Sequence, residues 1–270
     1  QAGDTITLRG TTQNAGAVAT PANWMDRVVI RNRTNGQELE RLAVAIQDRP
    51  LAPGESHETT LTFTLPNGLA GTGNIRATVY ADSNAVGLGT MKEAREGITP
   101  SQAEANNSQF LEFAATERTY ANLIAEITAV PNVLVGGQSG NLSWRVSNNS
   151  TVPTDATAWT DKVYLSVDGT LDDSDILLST SPHSGILAEG AEYAMTALVT
   201  LPVGIEGDVY FIVAADVDAS VTEPDTRADN IAIATASLTS PYSDIEVQSV
   251  VAPNGSFTSG EVIDGSTACT

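Results

Sequence analysis

The sequence predicts an all-β fold built from tandem β-sandwich domains, and three observations carry that prediction. Apolar residues alternate with Thr and other polar residues over short runs, as in residues 60–65, where Leu61, Phe63 and Leu65 share one face. This period of two marks a half-buried antiparallel strand. About seven such runs recur per unit at intervals of roughly ten residues, separated by Gly, Pro, Asn and Asp turns, which is sandwich spacing. The motifs also occur twice. Trp24-Met-Asp-Arg-Val-Val-Ile returns as Trp159-Thr-Asp-Lys-Val-Tyr-Leu, and Leu51-Ala-Pro-Gly-Glu as Leu187-Ala-Glu-Gly-Ala. Leu65-Pro66 with Gly68 returns as Leu201-Pro202 with Gly204, and the run from Gly73 to Asp82 as that from Gly207 to Asp216. Order and spacing are kept, so the chain reads as a tandem repeat of immunoglobulin-like sandwiches.

In order, the first unit opens with Ile6 and Leu8 alternating with Thr5 and Thr7, followed by a polar stretch to Thr20 and the Trp24 strand. Asn35-Gly36 is a two-residue hairpin signal between Val28-Val29-Ile30 and residues 42–46. Pro53-Gly54 makes the next turn, and strands follow at 60–65 and 75–80. The segment 86–99, rich in Gly and charge, is an insertion that reads as a surface loop, and 101–107 reads at most as one helical turn. The second unit opens with Asn122-Leu-Ile-Ala-Glu-Ile, a strand with no counterpart in the first unit, and turns at Pro131. It continues with strands at 141–146 (carrying Trp144), at Trp159, and at 176–178, 193–201, 209–214 and 231–238. A third unit begins at Asp244-Ile-Glu-Val-Gln, with Ala252-Pro253-Asn254 echoing Val130-Pro131-Asn132. The expected organisation is 1–119 as a sandwich lacking its first strand, 120–240 as a complete one, and 241–270 as opening strands of a third unit or a donor tail.

Composition narrows the function. The 270 residues carry a formal net charge of −20, with Lys only at 92 and 162. Such a surface repels nucleic acid and anionic lipid and suits divalent cations, cationic partners or a salty medium. The single Cys269 excludes an internal disulfide framework and a thiolate metal cluster, leaving a free thiol or an intermolecular bridge. No apolar run approaches membrane-span length and no signal peptide stands at Gln1, so the chain reads as a mature or excised piece of something longer.

The second unit resembles the cell-adhesion-related domain found in bacteria, CARDB. The residues that carry the resemblance include Asn122-Leu-Ile, Trp144, Ala158-Trp-Thr-Asp-Lys-Val-Tyr-Leu-Ser and Asp168-Gly-Thr-Leu-Asp-Asp-Ser-Asp-Ile-Leu-Leu. Gly137-Gln-Ser, Gly185-Ile-Leu-Ala-Glu-Gly, Leu201-Pro-Val-Gly-Ile-Glu-Gly and Glu223-Pro with Asp229-Asn230 complete the set, which covers 121–240. Residues 1–119 match less closely, with Arg31-Asn-Arg-Thr-Asn-Gly replacing the Asp-rich segment. The resemblance implies an immunoglobulin-like fold, recurrence in large exported bacterial or archaeal proteins, and no catalysis.

Two acidic groups are the candidate metal sites. Asp168, Asp172, Asp173 and Asp175 lie close enough in sequence to offer several oxygens to Ca²⁺, although the spacing is not that of an EF-hand. The competing reading is a solvated loop whose Asp side chains cap their own turns. Asp216, Glu223, Asp225 and Asp229, with Asp244 opening the next unit, form the second group, where an interdomain Ca²⁺ would relieve carboxylate repulsion. Trp24 and Trp159 are expected to pack in the core, the sharper alternative being a sugar-stacking platform. His57 and His183 are placed in turns, away from any nucleophile elbow or metal-ligand spacing, and the chain is expected to be a non-enzyme.

The expected function is a structural or adhesive segment of an extracellular surface protein or filament, serving as a stiff spacer or fibre body. Its partners are then neighbouring repeats or copies of itself, with no nucleic acid and no membrane insertion. The absent first strand and the strand-like tail from Ser243 allow head-to-tail assembly by strand donation; a fragment of a longer tandem array explains the same facts. The alternative from another class is a glycan- or protein-binding accessory module of an exported enzyme.

Overall fold

The period-two runs form strands that pair antiparallel throughout. The computed structural model describes residues 1–45, 50–83, 89, 91, 105–242 and 244–249. Among them the first sandwich holds β1 (Thr5–Gln13), β2 (Met25–Asn32), β3 (Glu38–Ala45), β4 (Ser56–Thr64), β5 (Gly73–Tyr80) and β6 (Ser108–Ala115). The second holds β7 (Leu123–Ala129), β8 (Ser139–Asn148), β9 (Ala158–Ser166), β10 (Ile176–Ser184), β11 (Glu192–Thr200), β12 (Gly207–Ala214) and β13 (Ile231–Leu238).

In the first sandwich β1 pairs with β4 over their whole length, and a second sheet runs β3-β2-β5-β6. In the second, β8 lies between β11 and β7, and the facing sheet runs β10-β9-β12-β13. With β7 set aside, the two strand orders are the same. The inward positions of both sheets meet in each core: Ile6, Leu8 and Phe63 against Val28, Ile30 and Ile75 in the first, and Leu142, Trp144 and Val199 against Val163, Phe211 and Val213 in the second. The chain is therefore all-β with an immunoglobulin-like sandwich architecture.

Several local expectations shift. The strand expected at 176–178 continues to Ser184, because Ser179–Ser184 keep pairing with β9 after a bulge between Leu177 and Ser179. His183 therefore lies on β10 opposite Trp159, and His57 on β4 opposite Thr12; neither sits in a turn. The strand expected at 42–46 begins earlier, at Glu38, and the connection before it is a four-residue loop, 33–36, in place of the expected two-residue turn: the Asn32 amide donates to Gln37 O at 2.8 Å and the Gly36 amide, at a φ of 79°, to Asn32 O at 2.9 Å. Residue 46, the insertion at 86–99 apart from Gly89 and Met91, and residues 101–104 of the expected helical turn lie outside the described residues. Residues 244–249 have no secondary structure. Among the described residues no helix is long and apolar enough to cross a membrane.

Candidate functional site

Three places concentrate chemistry: a buried carboxylate in each core, the junction between the sandwiches, and an open seam in the first sandwich. Asp161 lies on β9, two residues beyond Trp159, so both point into the core. Its Oδ2 accepts from Trp144 Nε1 at 3.0 Å and from the Tyr193 hydroxyl at 2.7 Å, and its Oδ1 from the Asp216 amide at 3.2 Å. Desolvation by burial pushes the carboxyl pKa above the usual Asp value, partly countered by these donors. Trp159 Nε1 donates to the Tyr193 hydroxyl at 3.0 Å, and the His183 ring stacks between Trp159 and Tyr193 at 4.0 and 4.1 Å. This network ties β8, β9 and β11 together, so both Trp side chains of the repeated motif, Trp24 and Trp159, are core residues.

The first sandwich repeats the arrangement with different donors. Asp26 accepts from Thr12 Oγ1 at 2.8 Å and from the Asp82 amide at 3.2 Å, and burial raises its pKa in the same way. Asp82 and Asp216, the two amide donors, both take positive φ, 44° and 46°. Further pairs agree. Asn14 Nδ2 donates to Val18 O and Leu51 O, both at 2.8 Å, while Asn148 Nδ2 donates to Val152 O at 2.8 Å and Leu187 O at 3.2 Å. The Leu51 amide donates to Thr20 Oγ1 at 2.8 Å and the Leu187 amide to Thr154 Oγ1 at 3.0 Å. Where Tyr193 satisfies Trp159, the first sandwich has His57, and among the described residues Trp24 Nε1 has no hydrogen-bond partner.

These matches place Gly10 where the second sandwich has Trp144. Gly10 lies two residues before Thr12, just as Trp144 lies two before Val146, on strands that pair identically with β4 and β11. In the second sandwich β7 pairs with β8 and packs against β13, closing the seam between the two sheets. Among the described residues no strand pairs with the second edge of β1. The loss of both the strand and the indole leaves a groove of about 740 Å³ between β1 and β6, with Leu8, Val28, Leu61, Val79 and Leu111 on its walls. Accordingly Leu8 is only half-buried and Leu111 is 43% exposed, whereas Leu142 is fully buried.

The predicted acidic residues fall into separate local arrangements. In the β9–β10 loop, Asp168 Oδ1 accepts from the Thr170 amide at 2.8 Å, and Asp172 Oδ1 from the Ser174 amide and hydroxyl at 2.8 and 2.6 Å. Asp175 Oδ2 accepts from the Asp172 amide at 3.0 Å. The hydroxyl and amide of Ser174 hold the Asp172 carboxyl below the usual carboxylate range. In the second group, Asp216 is buried against Arg227 at 2.9 Å, and Glu223 accepts from the Leu123 amide at 2.5 Å and Asn230 Nδ2 at 2.8 Å. Asp229 accepts from Asn122 Nδ2 at 3.2 Å, and Asp244 is exposed. Among the described residues no three Asp, Glu, His or Cys side chains converge on one point.

Asp225 does something the sequence did not announce. Its Oδ2 accepts from the Leu69 amide at 3.0 Å, reaching from the second sandwich to the Gly68–Gly71 3-10 turn of the first. Gly68 permits this approach: it has a φ of 66°, and a Cβ there would stand 2.2 Å from that same oxygen. Tyr120, in the connecting segment, accepts from the Gly68 amide at 3.4 Å and donates to Asn67 Oδ1 at 3.0 Å. The junction is thus a set of direct bonds.

No family model and no curated protein matches the sequence. Among solved structures the chain is similar to the CARDB domain of a Pyrococcus furiosus protein, in complex with di-metal ions. That likeness has 19% identity, covers 47% of this chain and 100% of that one, and has a TM-score of 0.35. A solution structure of the same domain gives 19% identity, 45% and 98% coverage and 0.35. A β-glucosidase from Listeria innocua in complex with glucose gives 15% identity, 46% and 17% coverage and 0.31.

Proposed function

We propose that this chain is a non-catalytic structural segment of a bacterial or archaeal surface protein or filament, in which sandwich units repeat in tandem as a stiff spacer or fibre body. The observation that carries the reading is the recurrence of one tertiary hydrogen-bond set in both sandwiches, Asp26–Asp82 with Asp161–Asp216 and Asn14 with Asn148. Buried polar networks of this kind specify a unique packing, and their recurrence supports one module used twice. The direct bonds of Tyr120 and Asp225 at the junction support stiffness, because each has to break before the units can hinge. A surface of net charge −20 limits sideways aggregation outside the cell.

Pulling single molecules from their two ends tests the reading. Two unfolding events are expected, each releasing roughly 100 residues of chain. A single event, or extension without a force peak, would overturn it. Repeating the measurement with Ca²⁺ tests whether a cation at Asp168–Asp175 or at the junction adds stiffness: a rise in force supports this addition and an unchanged trace removes it. Saturable binding to a glycan array would instead favour an accessory module.

A further inference from the structure

The groove of the first sandwich has the shape of a missing strand, and the chain carries a segment that fits it. In the second sandwich β7 fills the equivalent place, with Leu123 opposite Asn148, Ala125 opposite Val146 and Ile127 opposite Trp144, and with Leu123 and Ala125 buried. Asp244-Ile-Glu-Val-Gln echoes Asn122-Leu-Ile-Ala-Glu, which places Ile245 and Val247 at the positions of Leu123 and Ala125. In this structure those two side chains stand in solvent, 90% and 76% exposed, while Glu246 and Gln248 between and beyond them are polar. One inward face of apolar residues without a core, and one seam without a strand, are complementary.

We propose that residues Asp244 to Ser249 of a second copy of this chain insert antiparallel along β1, with Ile245 opposite Asn14, Val247 opposite Thr12 and Ser249 opposite Gly10. Backbone pairing with the free edge of β1 supplies the hydrogen bonds, and Ile245 and Val247 enter the groove at its Thr12–Asn14 end. The donor is a second molecule because its own tail falls short. The tail leaves β13 at Leu238, the end remote from the junction, since the Asp225 loop leads into the start of β13. Returning along β13 alone spans about 27 Å, and β1 adds about 30 Å before Asn14, at ~3.4 Å per residue. Seven residues from Leu238 to Ile245 reach at most about 25 Å. The same geometry sets the assembly: a tail leaving the far end of one copy enters the far end of the next, giving an open head-to-tail fibre.

This inference rests on the structural-repeat reading, and a disulfide trap on the full chain separates the two. In a Cys269→Ser background, Gln13→Cys and Glu246→Cys place thiols on the outward face at directly opposed positions, whose Cβ separation suits a disulfide. Oxidation is expected to give a ladder of covalent multimers with a 13–246 link between copies by mass spectrometry. Pairing Gln13→Cys with Val247→Cys, which points to the other face, is expected to give none. In the otherwise unmodified chain, Ile245→Asp with Val247→Asp alters only exposed side chains, so the fold should persist by circular dichroism while self-association weakens by about 100-fold. A synthetic peptide of residues 243–250 is then expected to bind this doubly substituted chain and raise its Tm. Absence of any 13–246 link together with no peptide binding would overturn strand donation, and so would a 13–246 link found only within one copy. Two unfolding events in the pulling experiment alongside either result leave the spacer reading standing.

Discussion

Asp161 shows why a carboxylate is retained in an apolar core. It is fully buried, and the side-chain donors of Trp144 and Tyr193, with the Asp216 amide, meet its two oxygens. Asp161→Ala leaves those three donors unpaired in the core, and the expected loss is about 3 kcal/mol, read from urea denaturation. Titration gives a second prediction. Burial raises Asp161, Asp26 and Glu223 above the values of 3.8, 3.8 and 4.5 that they have in an unfolded chain. The folded state therefore binds these protons at a higher pH than the unfolded state. Their stabilising contribution is fully present below the unfolded values and is lost as pH rises through the folded ones. Asp161→Asn removes one titration, so the Tm difference between the native chain and this variant should widen as pH falls from neutral toward 3.8, and then level off. A difference that narrows over that range would show that the donors, and not desolvation, dominate. The repeated Trp-x-Asp motif was legible in the sequence, but the burial of its Asp was not, because the donors come from strands distant in the chain.

At the scale of the element, the two sandwiches form an internal comparison, since β1 and β8 differ chiefly in what lies beside them. Leu142 on β8 is fully buried in its core and Leu8 on β1 faces the open groove. Leu142→Ala should cost about 3–4 kcal/mol, a buried deletion with its cavity, and Leu8→Ala only about 1–2 kcal/mol because water already reaches the site. Comparable losses in the two variants under dilute conditions would mean the seam is closed in solution. The strand alternation and a turn at Asn35-Gly36 were readable, since period and turn chemistry are local. The extension of β10 through Ser-Thr-Ser-Pro-His was not: that stretch lacks an apolar alternation and is held by pairing with β9. Nor was the groove, which depends on aligning Gly10 with Trp144; the two residue types share nothing, and only the matching hydrogen bonds around them establish the equivalence. The acidic clusters were visible as composition, whereas their division into turn caps, a β7 latch and the Asp225 bridge depends on where each loop folds.

For the whole molecule, long-range repulsion and a short-range latch act on the same junction. A net charge of −20 over 270 residues pushes two acidic units apart at low salt, and screening weakens that push as the Debye length falls from about 30 Å near 0.01 M to about 3 Å near 1 M. The Leu69 amide, bonded to Asp225 at 3.0 Å, and the Tyr120 hydroxyl act over contact distance and do not depend on that length. Removing the repulsion should therefore raise the Tm of the native chain as NaCl increases while leaving its maximum dimension in small-angle scattering unchanged. Asp225→Ala deletes one arm of the latch at a partly solvated site, so its stability should change by less than about 1 kcal/mol. Its shape should become salt-dependent: extended at low salt, where charge alone keeps the units apart, and shorter with a broader distance distribution at high salt. A native chain that shortens with salt as much as the variant would show that charge, and not the Asp225 bridge, keeps the two sandwiches in line.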